Sequence, residues 1–304
     1  MPASKHSDDS LSAYRAKRSA DASPEPFGGG PGSGAGLFVV HKHAASRLHW
    51  DLRLEMGGVL ESWAVPKGPS PNPADKRLAV KVEAHPLEYC EFEEVIPEGN
   101  YGAGAMIIWD RGRWVPLEDP EEGLQKGKLL FELRGYKLRG RWTLVKMKRT
   151  EKEWLFIKER DAFATSEEDG ESVFPQDSIL SGLTVEQLGA GTRPATVILR
   201  KLRRLKASQS RVVARGLKVM LAEPREEAFS DPGWLFEIKY DGYRLVVSTE
   251  AGAARLTSRA GNDLTATFPE VAKAVEALPF EHLVLDGEVV VHDESGLPSF
   301  GRLQ

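Results

Sequence analysis

The sequence predicts a mainly β fold: a barrel or sandwich of short strands over residues 37–160, then the beginning of an α+β domain from Leu217. Three observations carry this. From Leu37 to about Arg160 apolar residues alternate with period two between Gly, Pro and Asn punctuation, the mark of strands joined by turns. That stretch has little helical spacing, and many short strands close into barrels or sandwiches. After Leu217, strand patterns flank one run with helical spacing, as in an α+β domain. At 304 residues the chain has room for two cores.

Residues 1–36 are rich in Ser, Ala, Gly and Pro and read as a flexible arm that could not bury enough apolar surface to order itself alone. Within it, Tyr14-Arg-Ala-Lys-Arg18 is either a contact to a phosphate backbone or a solvated charged stretch. Strands are expected at 37–41, 48–55, 59–64, 77–84, 104–110, 128–133, 141–147 and 153–159. A linker over 161–216 is acidic at Glu167–Glu171 and basic at Arg200–Lys206; between Pro194 and Leu221 there are eight basic residues and no acidic one. In a chain of formal charge -4, this stretch is the local basic signature. Beyond it, strands are expected near 234–240, 243–249 and 283–291, with a helix carrying Phe268, Val271, Ala272 and Val275.

The composition, 41% hydrophobic and 28% charged, is that of a globular protein. No apolar run approaches the ~20 residues of a membrane span and no secretory core is present, so the expectation is a soluble cytoplasmic protein with no membrane partner. Cys90 is the only cysteine, which excludes an internal disulfide and a cysteine-cluster zinc site. Any metal must be held by histidine and carboxylate.

One segment offers that chemistry. In His49-Trp-Asp-Leu-Arg-Leu-Glu55, alternation puts His49, Asp51, Arg53 and Glu55 on one face and Trp50, Leu52 and Leu54 on the other. Arg77, Lys81, Glu83 and His85 repeat the device opposite Leu78, Val80, Val82 and Ala84. With His43 the spacing is His-x5-His-x-Asp, a ligand set suited to manganese or zinc with positions open for water and a phosphate oxygen. Arg53 and Arg77 could clamp oxyanions, and His85 could transfer a proton or bond a phosphate oxygen. The alternative is a solvated sheet face on which Asp51 pairs with Arg53 or Arg77. The glycines of Gly99–Gly104 read as turn and close-packing residues, since no Lys-Ser/Thr follows. Trp109, Trp142 and Trp154 fall in strand patterns and read as core.

A second constellation lies in Glu237-Ile-Lys-Tyr-Asp-Gly-Tyr-Arg244. Lys239 ends the expected strand 234–240, and a lysine two residues before Asp-Gly suggests a nucleophile that takes up a nucleotide; alone, the motif is equally a surface hairpin.

Several segments carry a resemblance: His43-Ala-Ala-Ser-Arg-Leu-His-Trp-Asp-Leu-Arg-Leu-Glu55, Ser62-Trp-Ala-Val-Pro-Lys-Gly68, Asp75-Lys-Arg-Leu-Ala-Val80, Glu83-Ala-His-Pro-Leu-Glu-Tyr89 and Pro97-Glu-Gly-Asn-Tyr-Gly-Ala-Gly104. Over 37–160 the chain resembles the 3'-phosphoesterase domain of bacterial DNA ligase D. The resemblance implies a compact β-barrel that uses Mn2+ to remove 3'-phosphates and 3'-ribonucleotides from DNA ends. His43, His49 and Asp51 would bind metal, Arg53, Arg77 and His85 the phosphate, with Glu83 and Tyr89 supporting. The chain departs from that family at His41, where glutamine is frequent; an imidazole there would compete for metal or point outward.

Ser258-Arg-Ala-Gly261, Leu285-Asp-Gly-Glu288 and Phe300-Gly-Arg-Leu-Gln304 join Lys239 in the order found in ATP-dependent DNA ligases. Over 217–304 the chain is similar to the ATP-grasp-like adenylation domain of these covalent nucleotidyltransferases, here incomplete. This implies attack of Lys239 on ATP with Mg2+, Arg244 and Arg259 on sugar and phosphate, Glu288 on ribose or metal, and Glu237 positioning adenine or the lysine. Later ligase elements do not follow Gln304, so this polypeptide is expected not to seal nicks and to self-adenylate poorly. The function implied is end processing in non-homologous end joining, nucleoid-associated during repair, on DNA ends and with Ku as partner. The alternatives are a non-catalytic DNA-end-binding module, full ligase activity if the chain is a fragment of a longer protein, or a relative of RNA-capping enzymes and RNA ligases.

Overall fold

Alternating apolar residues from eight strands converge on one interior in the computed structural model, which describes residues 10–28, 36–148, 150–165, 174–206, 213–214, 216–237, 239–276, 278, 280–292 and 298–303. The glycine run 29–35 and the acidic stretch 167–171 lie outside the described residues. The chain divides into two compact units, 1–198 and 199–304.

In the first unit, β1 (Leu37–Ala44), β2 (Leu48–Met56), β3 (Val59–Val65), β4 (Arg77–Lys81), β5 (Glu94–Ile96), β6 (Gly104–Pro116), β7 (Lys128–Gly135), β8 (Arg139–Lys146) and β9 (Glu153–Lys158) are all antiparallel to their neighbours. Their order is β1-β2-β3-β4-β9-β8-β7-β6-β5, and pairing of β1 with β6 closes eight of them into a barrel, with β5 an outer strand on β6. All eight expected strands form; β5 and a helix at Pro120–Lys126 are additions. Closure leaves the barrel strands no open edge.

Residues of one parity fill the barrel: Phe38, Val40, Trp50, Leu52, Leu54, Trp63, Ala79, Trp109, Trp142, Trp154 and Phe156 are all buried there. The three tryptophans read as core are indeed core. The opposite parity of β1, β2 and β3 faces outward, under a second apolar cluster of Leu11, Tyr14, Val39, Leu60, Tyr89, Phe92, Ile96, Met106 and Ile108. The β2–β3 hairpin turns through Gly57 and Gly58, both at positive φ (57° and 84°), the conformation a two-residue type I' turn requires.

The outer wall is covered partly by residues 10–28, with a short helix at Ser12–Arg15. This corrects the expectation of a free arm. The segment has too little apolar surface to order alone, but on the barrel Tyr14 is fully buried between the rings of His85 (5.0 Å) and Tyr89 (5.9 Å), and Arg18 bridges two carboxylates. Across 161–216 the chain is not featureless either. Helices form at Val185–Gly189, opened by a capping box between Thr184 and Gln187, and at Pro194–Arg204, which carries Arg200, Lys201, Arg203 and Arg204.

The second unit is a three-stranded antiparallel sheet, β11 (Ala253–Ser258), β10 (Tyr243–Glu250) and β12 (Leu283–Val289), in the order β11-β10-β12. The expected helix forms at Pro269–Glu276 and buries Ala272 and Val275 against Leu245, Val247 and Leu256. The strand expected at 234–240 does not form among the described residues. β10 instead pairs with β11 and β12 on its two sides. No helix among the described residues is long and apolar enough to cross a membrane.

Candidate active site

The β1–β2 hairpin converts the His-x5-His-x-Asp spacing into geometry. Its register sets His43 opposite His49 and His41 opposite Asp51, and parity puts all four with Arg53 on the barrel's outer wall. One ligand atom from each of His43, His49 and Asp51 lies within 4.8 Å of the others. His43 Nδ1 is 3.8 Å and His49 Nε2 3.6 Å from the Asp51 carboxylate. These separations are long for hydrogen bonds and close to the ~3.4 Å between neighbouring ligands about 2.1 Å from one tetrahedral ion.

Backbone carbonyls fix the tautomers. Gly102 O can only accept, so His43 Nε2 donates to it (2.8 Å) and leaves Nδ1 bare; Arg47 O likewise takes the Nδ1 proton of His49 (2.9 Å), leaving Nε2 bare. Gly102, at φ 77°, brings its carbonyl to His43, and a Cβ on Gly104 would stand 2.1 Å from Ala44 O. The glycines are therefore turn and close-packing residues, as read.

Arg53, 2% exposed, is held from three sides: Nη2 donates to Asp51 (3.0 Å), Nη1 to Ser62 Oγ (3.0 Å) and Nε to His41 Nδ1 (3.2 Å). His41 donates from Nε2 to Phe92 O (3.1 Å), so it neither competes for metal nor points outward; it aims Arg53. Burial, with Arg53 adding to it, pushes the His41 imidazole down to about 3, so it stays a neutral acceptor. Burial opposes ionisation of Asp51, but Arg53 and the two imidazoles outweigh it and hold the carboxyl well below its usual range.

His85 reaches the same wall by a bulge. Lys81 pairs with Trp63 and His85 with Leu60, so four steps along the β4 side match three along β3, and parity flips between them. The expected common face of Arg77, Lys81, Glu83 and His85 is therefore split. Lys81 lies over the Trp63 ring (5.8 Å) on the barrel side with Ala79, whereas His85 joins the outer wall. Arg77 is outside the cavity: it pairs with Asp75 (3.0 Å) beside Lys67 and Lys76 in a separate shallow depression. Glu83 O can only accept, so His85 donates from Nδ1 (2.9 Å) and its Nε2 lone pair faces Arg18 (3.4 Å). Burial, then Arg53 and Arg18, holds His85 well below the ordinary imidazole range.

The resulting cavity, about 290 Å3, takes in His43, His49, Asp51, Arg53, Glu83, His85 and Tyr89. It also contains Arg18, the last residue of the stretch read as a possible phosphate-backbone contact, and Glu25, which the sequence reading did not single out. Arg18 donates to Glu25 (2.7 Å) and Glu83 (3.1 Å) and lies 4.0 Å from the Tyr14 ring centroid. Tyr89 donates its hydroxyl to Glu25, and its ring lies 5.0 Å from the Arg53 guanidinium. The basic stretch 14–18 held the only clue. Glu55 faces outward but accepts from Leu37 N–H and does not line the cavity.

The ligand set makes metal binding a competition with protons. Burial lowers the His49 pKa, but the Asp51 carboxylate outweighs it and the net shift is upward. A ligating imidazole must be neutral, so metal uptake expels this proton. Apparent Mn2+ affinity should fall as pH drops below the His49 pKa, by up to about tenfold per unit for one displaced proton. Calorimetric titrations from pH 8 to pH 6 check this; an affinity independent of pH would refute it.

In the second unit Glu237, Lys239, Arg259 and Glu288 are all exposed. Arg244 lies opposite Glu288 in register but spends its guanidinium on Asp286 (2.9 and 2.6 Å) and Met220 O (2.6 Å). Among the described residues, Glu237 and Lys239 lie in no helix or strand.

A closed barrel whose outer wall gathers two imidazoles, a carboxylate and two arginines defines a class: barrels whose side chains could hold a divalent ion beside an oxyanion. Comparison with known proteins gives the family. Residues 41–146 match the DNA ligase D 3'-phosphoesterase domain and residues 219–303 the ATP dependent DNA ligase domain. The multifunctional non-homologous end joining protein LigD of Pseudomonas aeruginosa is 44% identical over 100% of this chain and 36% of that protein. The multifunctional non-homologous end joining DNA repair protein LigD of Mycobacterium tuberculosis is 38% identical over 97% of this chain and 33% of its own length. The crystal structure of the ligase domain from M. tuberculosis LigD shares 48% identity over 22% of each chain, at a TM-score of 0.20. The chain belongs to the DNA ligase D family over its two matched segments, and it spans about a third of the length of these curated relatives.

Proposed function

We propose that the first unit is a metal-dependent phosphoesterase that removes 3'-phosphates and 3'-ribonucleotides from DNA ends in non-homologous end joining. The observation that carries this is the convergence of His43, His49 and Asp51 within 4.8 Å in one cavity with Arg53 and Arg18. In this reading the trio holds Mn2+, which when bound polarises a phosphate oxygen. Arg53, aimed by Asp51, Ser62 and His41, donates to the non-bridging oxygens as charge builds on them. Arg18 does the same from the opposite segment, while Glu83 and Glu25 hold its fork. His85, neutral with a bare Nε2, takes the proton of the water whose oxygen attacks phosphorus and passes it to the ester oxygen that leaves as the P–O bond breaks. Tyr89 supports Arg53 and Glu25. Arg77 would act only on a part of the substrate outside the cavity.

The test is release of inorganic phosphate from a 3'-phosphorylated primer–template, expected with Mn2+ and lost with a chelator or in His49→Ala. Absence of release by the wild type under single-turnover conditions, or undiminished release by His49→Ala, would refute the assignment. For the second unit we propose the family's chemistry, attack of Lys239 on ATP with Mg2+ and contacts from Glu237, Arg244, Arg259 and Glu288. Its support is the match over 219–303. Ku is proposed as partner, and nucleoid association during repair as location, from the resemblance to DNA ligase D alone.

A further inference from the structure

Tyr101 lies at the edge of the cavity with half its surface open (50% exposed), yet its surroundings fix its position. Lys17 Nζ stands 4.7 Å and the Arg18 guanidinium 5.1 Å from its ring centroid. Both cations are themselves anchored, on Glu83 and on Glu83 with Glu25. The loop beneath is pinned by the Asn100 amide, which donates to Ala22 O (3.0 Å) and Pro97 O (3.2 Å), and it turns through Gly99 and Gly102 at positive φ. A lone exposed tyrosine is usually unremarkable. A ring held at a cavity mouth by two cations and a braced loop loses little further freedom when something stacks on it.

The composition of the cavity wall says what that is. His43, Asp51 and Arg53 line its buried part, and at about 290 Å3 the cavity is just under the ~300–1,000 Å3 range of small-molecule sites. A nucleotide whose 3'-phosphate reaches His43 and Arg53 carries its base nearer the mouth, where Tyr101 is the exposed aromatic ring lining the cavity. Resting on the phosphoesterase reading above, we propose that Tyr101 is the stacking platform for the base of the terminal nucleotide, so that the site reads a nucleoside and not a bare phosphate monoester. Stacking is indifferent to base identity, as suits a site meeting arbitrary ends.

The experiment compares primer–templates ending in a 3'-phosphate on an ordinary nucleoside or on an abasic sugar. The wild type should prefer the base-bearing end by roughly 5- to 150-fold in kcat/KM, the range base–aromatic stacking supplies, mostly through KM. In Tyr101→Ala that preference should collapse to near unity, and Tyr101→Phe should restore it. A persisting rise in melting temperature with Mn2+ shows that Tyr101→Ala keeps the metal trio. Wild-type preference retained in Tyr101→Ala overturns the proposal. Should the wild type release no phosphate from either end, the phosphoesterase reading fails instead. Quenching of a terminal 2-aminopurine on binding then decides the stacking: lost in Tyr101→Ala it supports the platform, unchanged it overturns it.

Discussion

Asp51→Asn is expected to lower Mn2+-dependent release of 3'-phosphate by ~10^3-fold or more, a loss of several kcal/mol of charge stabilisation, with Mn2+ binding reduced in parallel. The substitution preserves shape but removes the anion that draws His43, His49 and Arg53 together. Breaking a buried pair by neutralising one member costs ~3–5 kcal/mol when the other is left unpaired. Arg53 keeps Ser62 and His41, so the loss of stability should fall below that range while the loss of activity does not. Single-turnover rates at saturating Mn2+, alongside melting of the metal-free protein, separate the two effects. A variant within tenfold of wild-type rate would remove Asp51 from the metal site.

Arg18→Leu should rank second, at about 10^2- to 10^3-fold in turnover if the guanidinium donates to the phosphate in the transition state. The substitution takes the shared cation from Glu25 and Glu83, whose side chains are 0% and 5% exposed, and leaves two carboxylates facing an incoming dianion. A double substitution, Arg18→Leu with Glu83→Gln, should recover part of the loss, since it removes one of the two anions that Arg18 had shared, the one then left with Lys17. Activity of Arg18→Leu near wild type would reduce residues 10–28 to a cover for the apolar wall.

The barrel was legible because a strand pattern has only two phases: Trp50, Leu52 and Leu54 enter the core and His49, Asp51 and Arg53 must then face outward. The metal trio was legible for the same reason, since a short hairpin turns six residues of spacing into a cross-strand pair. Parity arguments fail where one residue is added. The bulge between Lys81 and His85 separates Arg77 from His85, and nothing in the alternation of 77–85 announces it. Arg18 and Glu25 were hidden for another reason. Their segment carries too few apolar residues to signal order, and its order comes from charges and rings supplied by residues 83–101. In the second unit, the alternation at 234–240 is sound for a strand, yet the sheet there consists of β11, β10 and β12 without it.

The two halves of the site differ in how far apart along the chain their parts are made. The metal trio closes within one hairpin, between His43 and Asp51. The anion side waits on contacts such as Arg18 to Glu83 and Glu25 to Tyr89, 65 and 64 residues apart, which form only after the barrel wall exists to receive the N-terminal segment. On the proposed reading, the metal ligands and Arg53 need only the hairpin, whereas Arg18 reaches the site only through contacts that span the first unit.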